Sequence, residues 1–162
     1  MKKIFIIIGL IFSSILVNGQ DRSEQKPIKF DKDEMLRLVN EARMEKRSCG
    51  GKRHQATHPL EWNEQLAAAA QKHADDMGDN DFFDHTGSDG STIVIRVERE
   101  DYLWRAVGEN VAMGPRSVAV AVKGWLDSPG HCSNMMNPDF TELGAALSKE
   151  RKYWVQVFAA PR

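Results

Sequence analysis

The chain has 162 residues, enough for one domain with a sizeable core, and its 22 basic and 23 acidic residues nearly cancel, leaving −1. Basic side chains do not gather into a stripe, which argues against a nucleic-acid partner. Beyond the amino terminus there is no second long apolar run, which argues against a membrane-embedded body.

Lys2 and Lys3 precede an apolar run over residues 4–17, with Val17 and Gly19 at the spacing signal peptidase reads. The pattern predicts a secretory signal peptide over residues 1–19, too short for a spanning helix. No cysteine follows the run, so a lipid anchor is not expected. Loss of the two leader lysines takes the charge to −3. The expected destination is extracytoplasmic: secreted or periplasmic, with no stable membrane insertion after cleavage. A polar stretch over 20–32, containing Pro27, reads as a flexible lead-in to a folded domain over 33–162.

The first helix is predicted over 32–47, with Met35, Leu38, Val39 and Ala42 on one face and Asp31 or Asp33 as its cap. Gly50-Gly51 ends it. A second helix runs over 65–77, capped by Asn63 and closed by Gly78, with Leu66, Ala69, Ala70, His73 and Met77 in one stripe. A loop through Asp84 and His85 leads to a shorter helix over 91–101. A strand over 107–113, a helix over 117–126 ended before Pro129, and a further helical turn over 131–136 follow. Residues 142–148 and 153–159 read as a hairpin of strands around the charged turn at 149–152. Helices dominate the first two thirds and strands the last third. A small sheet with helices on both faces buries all the stripes, giving an α+β, three-layer α-β-α sandwich.

Cys49 and Cys132 are the two cysteines. In an exported protein an even count suggests a disulfide; the alternative is two buried free thiols. His54 and His58 stand four apart in a loop and read as a surface pair. His73 reads as a satisfied core histidine. Ser91 and Ser133 lack a nucleophile elbow. Asp79, Asp81 and Asp84 lack the glycine and terminal glutamate of a calcium loop. Trp62, Trp125 and Trp154 read as core, and Trp104 as the most exposed tryptophan.

Three turn-rich segments carry the chemistry: Phe83-Asp84-His85-Thr86, Gly108-Glu109-Asn110, and Trp125 with Ser128-Pro129-Gly130-His131. With Leu38-Val39-Asn40-Glu41-Ala42-Arg43, Leu60-Glu61-Trp62-Asn63 and Tyr153-Trp154-Val155-Gln156-Val157-Phe158, they occur in an order that resembles the CAP superfamily of cysteine-rich secretory, antigen 5 and pathogenesis-related proteins, in its bacterial secreted branch. The resemblance covers residues 35–162. It implies an α-β-α sandwich, small and mostly antiparallel in its sheet, and an open cavity lined by two histidines and two glutamates. His85, His131 and Glu109 match that pattern. The second glutamate would stand three residues after Trp125, where this chain has Ser128.

Two imidazoles and one carboxylate suit zinc or another divalent metal, with a position left for water. The same three residues are the candidates for catalysis, as ligands of an activated water. They also suit a hydrogen-bonded cluster that only joins three loops. The resemblance implies a monomeric binding or interaction module for an unknown extracellular ligand (lipid, sterol, peptide or protein). The rival expectation is a metal-dependent or histidine-assisted hydrolase of extracellular peptides or cell-wall material.

Overall fold

Asp31 opens the first helix of the computed structural model, which describes residues 28–162. The signal peptide and most of the lead-in lie outside the described residues. The Asp31 carboxylate accepts from the Asp33 and Glu34 amides, both at 3.1 Å, and starts α1 (Lys32–Arg43). Met35, Val39 and Ala42 face inward, as their spacing predicts. Ile28 and Phe30 pack against the same core, with the Phe30 ring 6.3 Å from both Trp62 and Trp154. The packed domain therefore reaches back to Ile28, into the stretch read as lead-in.

The helix stops at Arg43 rather than at 47. Residues assigned to its last turn and to a loop instead form a hairpin, β1 (Arg47–Cys49) against β2 (Lys52–His54). Gly50 and Gly51 form its turn with φ of 59° and 93°. A two-residue hairpin turn of this hand needs positive φ at both positions, which glycine supplies without strain.

β3 (Glu61–Trp62) leads into α2 (Glu64–Asp79), whose cap Asn63 accepts from the Gln65 amide at 2.9 Å and the Leu66 amide at 3.1 Å. α2 passes through Gly78 and ends one residue later. α3 (Ile93–Glu98) is shorter than its predicted span, and β4 (Trp104–Met113) begins earlier than expected. Ser117 caps α4 (Val118–Asp127), and Pro129 starts α5 (Pro129–Met135), where its missing N–H is no loss. β5 (Glu142–Leu147) and β6 (Tyr153–Pro161) complete the chain.

The main sheet has the order β3-β5-β6-β4, with β5–β6 and β6–β4 antiparallel and β3–β5 parallel. β6 is central and buried over residues 153–160. Its side chains alternate as a strand requires. Trp154 and Phe158 join the core under α1, α4 and α5, while Tyr153, Val155, Val157 and Ala159 join the core under α2 and α3. Two helical layers thus sandwich one sheet, the expected α+β architecture. α2 lies so close on β5 that a Cβ at Gly144 would collide with the Ala67 amide nitrogen.

Two long-range links fix α5. Cys49 and Cys132 form a disulfide with a Cα–Cα separation of 5.5 Å, joining β1 to α5. Arg43 is fully buried and donates to the carbonyls of His58 (2.9 Å), Met135 (2.7 Å), Asn137 (3.0 Å) and Phe140 (3.2 Å). With carbonyls rather than a carboxylate around it, burial pulls its pKa down to about 10.

Candidate functional site

β4 is an edge strand of the main sheet, so groups from both helical layers can meet along it. Glu109 and Asn110 are consecutive on β4, and strand alternation sends their side chains to opposite faces. Asn110 turns toward α5. Its amide donates to the His131 carbonyl and to Gln156 Oε1, each at 3.2 Å, and its Oδ1 accepts from Asn134 at 3.0 Å. Glu109 turns toward α2 and α3, where its side chain is 2% exposed.

A buried carboxylate needs a partner; two side chains hydrogen-bond Glu109, and His73 Nε2 stands 4.0 Å from its Oε1. Arg96 Nη2 donates to Oε2 at 2.7 Å, and His85 Nδ1 donates to Oε1 at 2.8 Å. Arg96 is itself buried; it also donates to the carbonyls of Ser91 (2.7 Å) and His85 (3.0 Å). One guanidinium therefore fixes both the carboxylate and the loop that carries His85. With Nδ1 held by Glu109, the remaining nitrogen of His85 is Nε2, on a side chain 58% exposed.

The hydrogen bond to Glu109 holds the His85 pKa above the usual histidine range. His131 is partly buried, and desolvation followed by the nearby charge of His85 holds its pKa below that range. Proton-detected titration of the two rings is expected to show His85 deprotonating at higher pH than His131. The opposite order would contradict this electrostatic arrangement. The raised pKa makes the His85–Glu109 contact stabilising in full below the unfolded-state value, and that contribution fades as pH rises through the folded one.

Glu109 thus meets His85 directly. Among the described residues no group of three or more His, Cys, Asp or Glu side chains is arranged to hold a metal ion. Ser128 is the junction of α4 and α5. Its amide donates to the Trp125 carbonyl at 3.2 Å and its carbonyl accepts from the Cys132 amide at 2.8 Å.

The remaining candidates separate. His54 approaches Ser133 Oγ at 3.4 Å, while His58 Nε2 meets the Phe140 carbonyl at 3.0 Å, so the two histidines turn to different partners. Ser91 is buried. Asp81 faces Lys152 and Tyr153, and Asp84 caps the Thr86 amide at 2.7 Å. Trp104 is half-buried and donates to Glu98 at 3.0 Å. Arg96 was not singled out from the sequence: it sits on a short helix with no motif around it. His73 is buried, and its Nε2 donates to the Asp84 carbonyl at 2.9 Å, but no protein atom among the described residues meets its Nδ1. It is a core histidine only half satisfied.

The model of the cysteine-rich secretory protein family matches residues 36–158. The chain belongs to the CAP family. This CAP protein is 35% identical over 99 residues, 61% of its length, to the uncharacterized membrane protein YlbC of Bacillus subtilis, of which the match spans 28%. It is 34% identical, with a TM-score of 0.61, to an extracellular protein containing an SCP domain from Bacillus anthracis, over 64% of this chain and 34% of that one. An outer surface protein of Borrelia burgdorferi has the same fold, with a TM-score of 0.62 at 24% identity, over 83% of this chain and 98% of that one. The chain thus spans about a third of the first curated and structural relatives it matches.

Proposed function

We propose that this CAP protein is exported and acts as an extracellular binding module, with the His85–His131 cleft as its contact point and zinc or a similar divalent metal as the group the cleft takes. Export is supported by the leader pattern and by the Cys49–Cys132 disulfide, a bond that persists in oxidising compartments. Among the described residues no helix is long and apolar enough to cross a membrane.

The observation that carries the binding reading is the His85–Glu109 hydrogen bond of 2.8 Å. A carboxylate on one imidazole nitrogen fixes the tautomer and ring orientation and leaves the other nitrogen to a ligand. Each Glu109 oxygen already accepts a hydrogen bond, Oε1 from His85 and Oε2 from Arg96, which suits Glu109 to positioning the His85 ring. The donors the site would offer zinc are then the imidazoles of His85 and His131, one protein ligand fewer than the usual three, with water in the other positions. A metal bound there would supply Lewis acidity to a water or to a ligand carbonyl. The protein's own part is to hold His85 rigid from a buried ion pair and to present His131 from α5.

Calorimetric titration of zinc into the metal-free protein tests this. Micromolar binding is expected, abolished in His85→Ala and in His131→Ala, and weakened about 10- to 100-fold in Glu109→Gln, where the ring loses its anionic support. Absence of heat with the unaltered protein, or binding that survives both histidine substitutions, would overturn the proposal.

A further inference from the structure

Lys46, Arg47, Lys52 and Arg53 fall within a stretch that holds no carboxylate, in a chain that is net acidic. The Gly50-Gly51 turn folds one basic pair back on the other, with Ser48 opposite Arg53 and Cys49 opposite Lys52. Lys46, Lys52 and Arg53 are exposed and Arg47 is half-buried. Every exposed lysine and arginine of the helices pairs with a carboxylate: Lys32 with Glu64, Arg37 with Glu41, Lys72 with Glu100 and Lys123 with Asp127. Among the described residues none of the four hairpin cations does. Like charges on so short a ribbon repel one another. The Cys49–Cys132 bond and the close approach of Gly50 to Pro129 hold the hairpin in place against that repulsion, and a bound anion would relieve it.

Two open cavities, of about 330 and 420 Å³, are built on this ribbon, and His54 borders both. Lys46, Arg47 and Arg53 line the smaller with Ser48 and Gln55, and Lys52 lines the larger with Ser133, Asn134 and Asn137. Strand alternation turns Lys52 and Arg53 to opposite faces, so each cavity has cations of its own. Neither lining contains a carboxylate. Arg47 also borders the groove between α1 and α4, where Glu41, Glu45 and Asp127 stand, which leaves Lys46, Lys52 and Arg53 to these two cavities. A small anion would occupy one cavity and leave the cations of the other unmet. A bilayer is entered by apolar side chains, and Pro138 is the one apolar residue in either lining. A nucleic-acid strand stacks its bases on aromatic rings, and neither lining holds a Phe, Tyr or Trp. An acidic peptide brings carboxylates without an array of hydroxyls. Cations for carboxylates, interleaved with hydroxyl and amide side chains for hydroxyls, match a polymer that repeats both groups along one chain.

We propose that the β1–β2 hairpin binds an acidic polysaccharide, with the carboxylate of one sugar unit met by Lys46 and Arg53 in the smaller cavity and that of another unit met by Lys52 in the larger. Ser48, Gln55 and Asn137 take sugar hydroxyls. The site uses neither His85 nor His131 and does not depend on a metal being held between them.

Amide signals of residues 46–55 and 133–137 report on the two cavities. Isotope-labelled protein is titrated with polygalacturonate, and in parallel with uncharged dextran, polyglutamate, and vesicles of equal parts phosphatidylcholine and phosphatidylglycerol. Polygalacturonate is expected to shift both sets of signals saturably, with an affinity that falls as salt rises. Lys52→Gln with Arg53→Gln changes two exposed side chains that pair with nothing, so the fold should be intact and the affinity about ten-fold weaker through loss of two exposed ion pairs. Lys149→Gln with Lys152→Gln makes the same change of charge on the turn between β5 and β6 and should leave the affinity as it was. If polygalacturonate moves neither set of signals, or only one, no ligand of this kind bridges the cavities and the proposal fails. Dextran binding equally well would show that charge has no part in it. Polyglutamate or vesicles that match polygalacturonate would show a site that reads charge alone or a lipid surface, and either overturns the assignment. Equal weakening in both double variants would place the effect in the net charge rather than in the hairpin and overturn it as well.

Discussion

Replacing Arg96 with methionine is expected to cost about 3–5 kcal/mol of stability, because it leaves the buried Glu109 carboxylate without its cation. The side chains are 5% and 2% exposed and meet at 2.7 Å, so water cannot take over when one is removed. The same substitution frees the Ser91 and His85 carbonyls, and with them the loop that carries the imidazole. Urea unfolding measures the loss. One further outcome separates a charge effect from simple packing loss. Adding Glu109→Leu to Arg96→Met should recover most of the loss, since an apolar pair leaves no unpaired charge. A single variant within about 1 kcal/mol of the parent, the range of ordinary surface changes, would show that the ion pair does not hold this part of the fold.

What the sequence makes legible follows from the range of the forces involved. Local signals were sufficient for the helices: Asp31, Asn63 and Ser117 cap where their side chains can reach the next amides, and the Leu66, Ala69, Ala70, His73 and Met77 stripe marks the buried face of α2. The alternation in residues 153–159 gave the central strand. The β1–β2 hairpin was missed because Gly50-Gly51 is as good a helix stop as it is a tight turn, and strands of three residues carry almost no periodicity. The His85–Glu109 contact was legible only through motif order, since spacing alone cannot bring together residues 24 apart that meet when α2, α3 and β4 pack. Arg43, Arg96 and His73 were invisible as functional groups for the same reason. Arg43 and His73 sit on or beside an apolar stripe, and only the fold shows that Arg43 gathers four carbonyls, that Arg96 binds the cleft glutamate, and that His73 keeps an unmet nitrogen.

Removing the disulfide is the other change of large effect. Cys49→Ala/Cys132→Ala opens a cross-link between residues 83 apart, for which the loop-entropy relation gives about 4–5 kcal/mol. Both sulfurs are also buried beside Met136 and Leu126, so alanine leaves a small void in addition. The consequence for the cleft depends on what else holds α5. A helix of seven residues is too short to persist without tertiary support. Its carboxyl end is held by Arg43, which donates to the Met135 and Asn137 carbonyls. Its amino end rests on the hairpin: a Cβ at Gly50 would stand 2.5 Å from the Pro129 Cβ, and Cys132 follows His131 directly. Loss of the cross-link should therefore loosen α5 from one end. Amide exchange is expected to quicken at residues 131–133 well before residues 135–137, and under the proposed zinc binding the affinity should fall even where the protein is still folded, because His131, the proposed ligand, sits on the loosened end. Thiol titration of the denatured, unreduced parent should find no free thiol. Uniform quickening along the whole helix would show that Arg43 cannot hold the carboxyl end by itself, and unchanged exchange at 131–133 would show that Asn110, through its bond to the His131 carbonyl, is enough to hold the histidine in place.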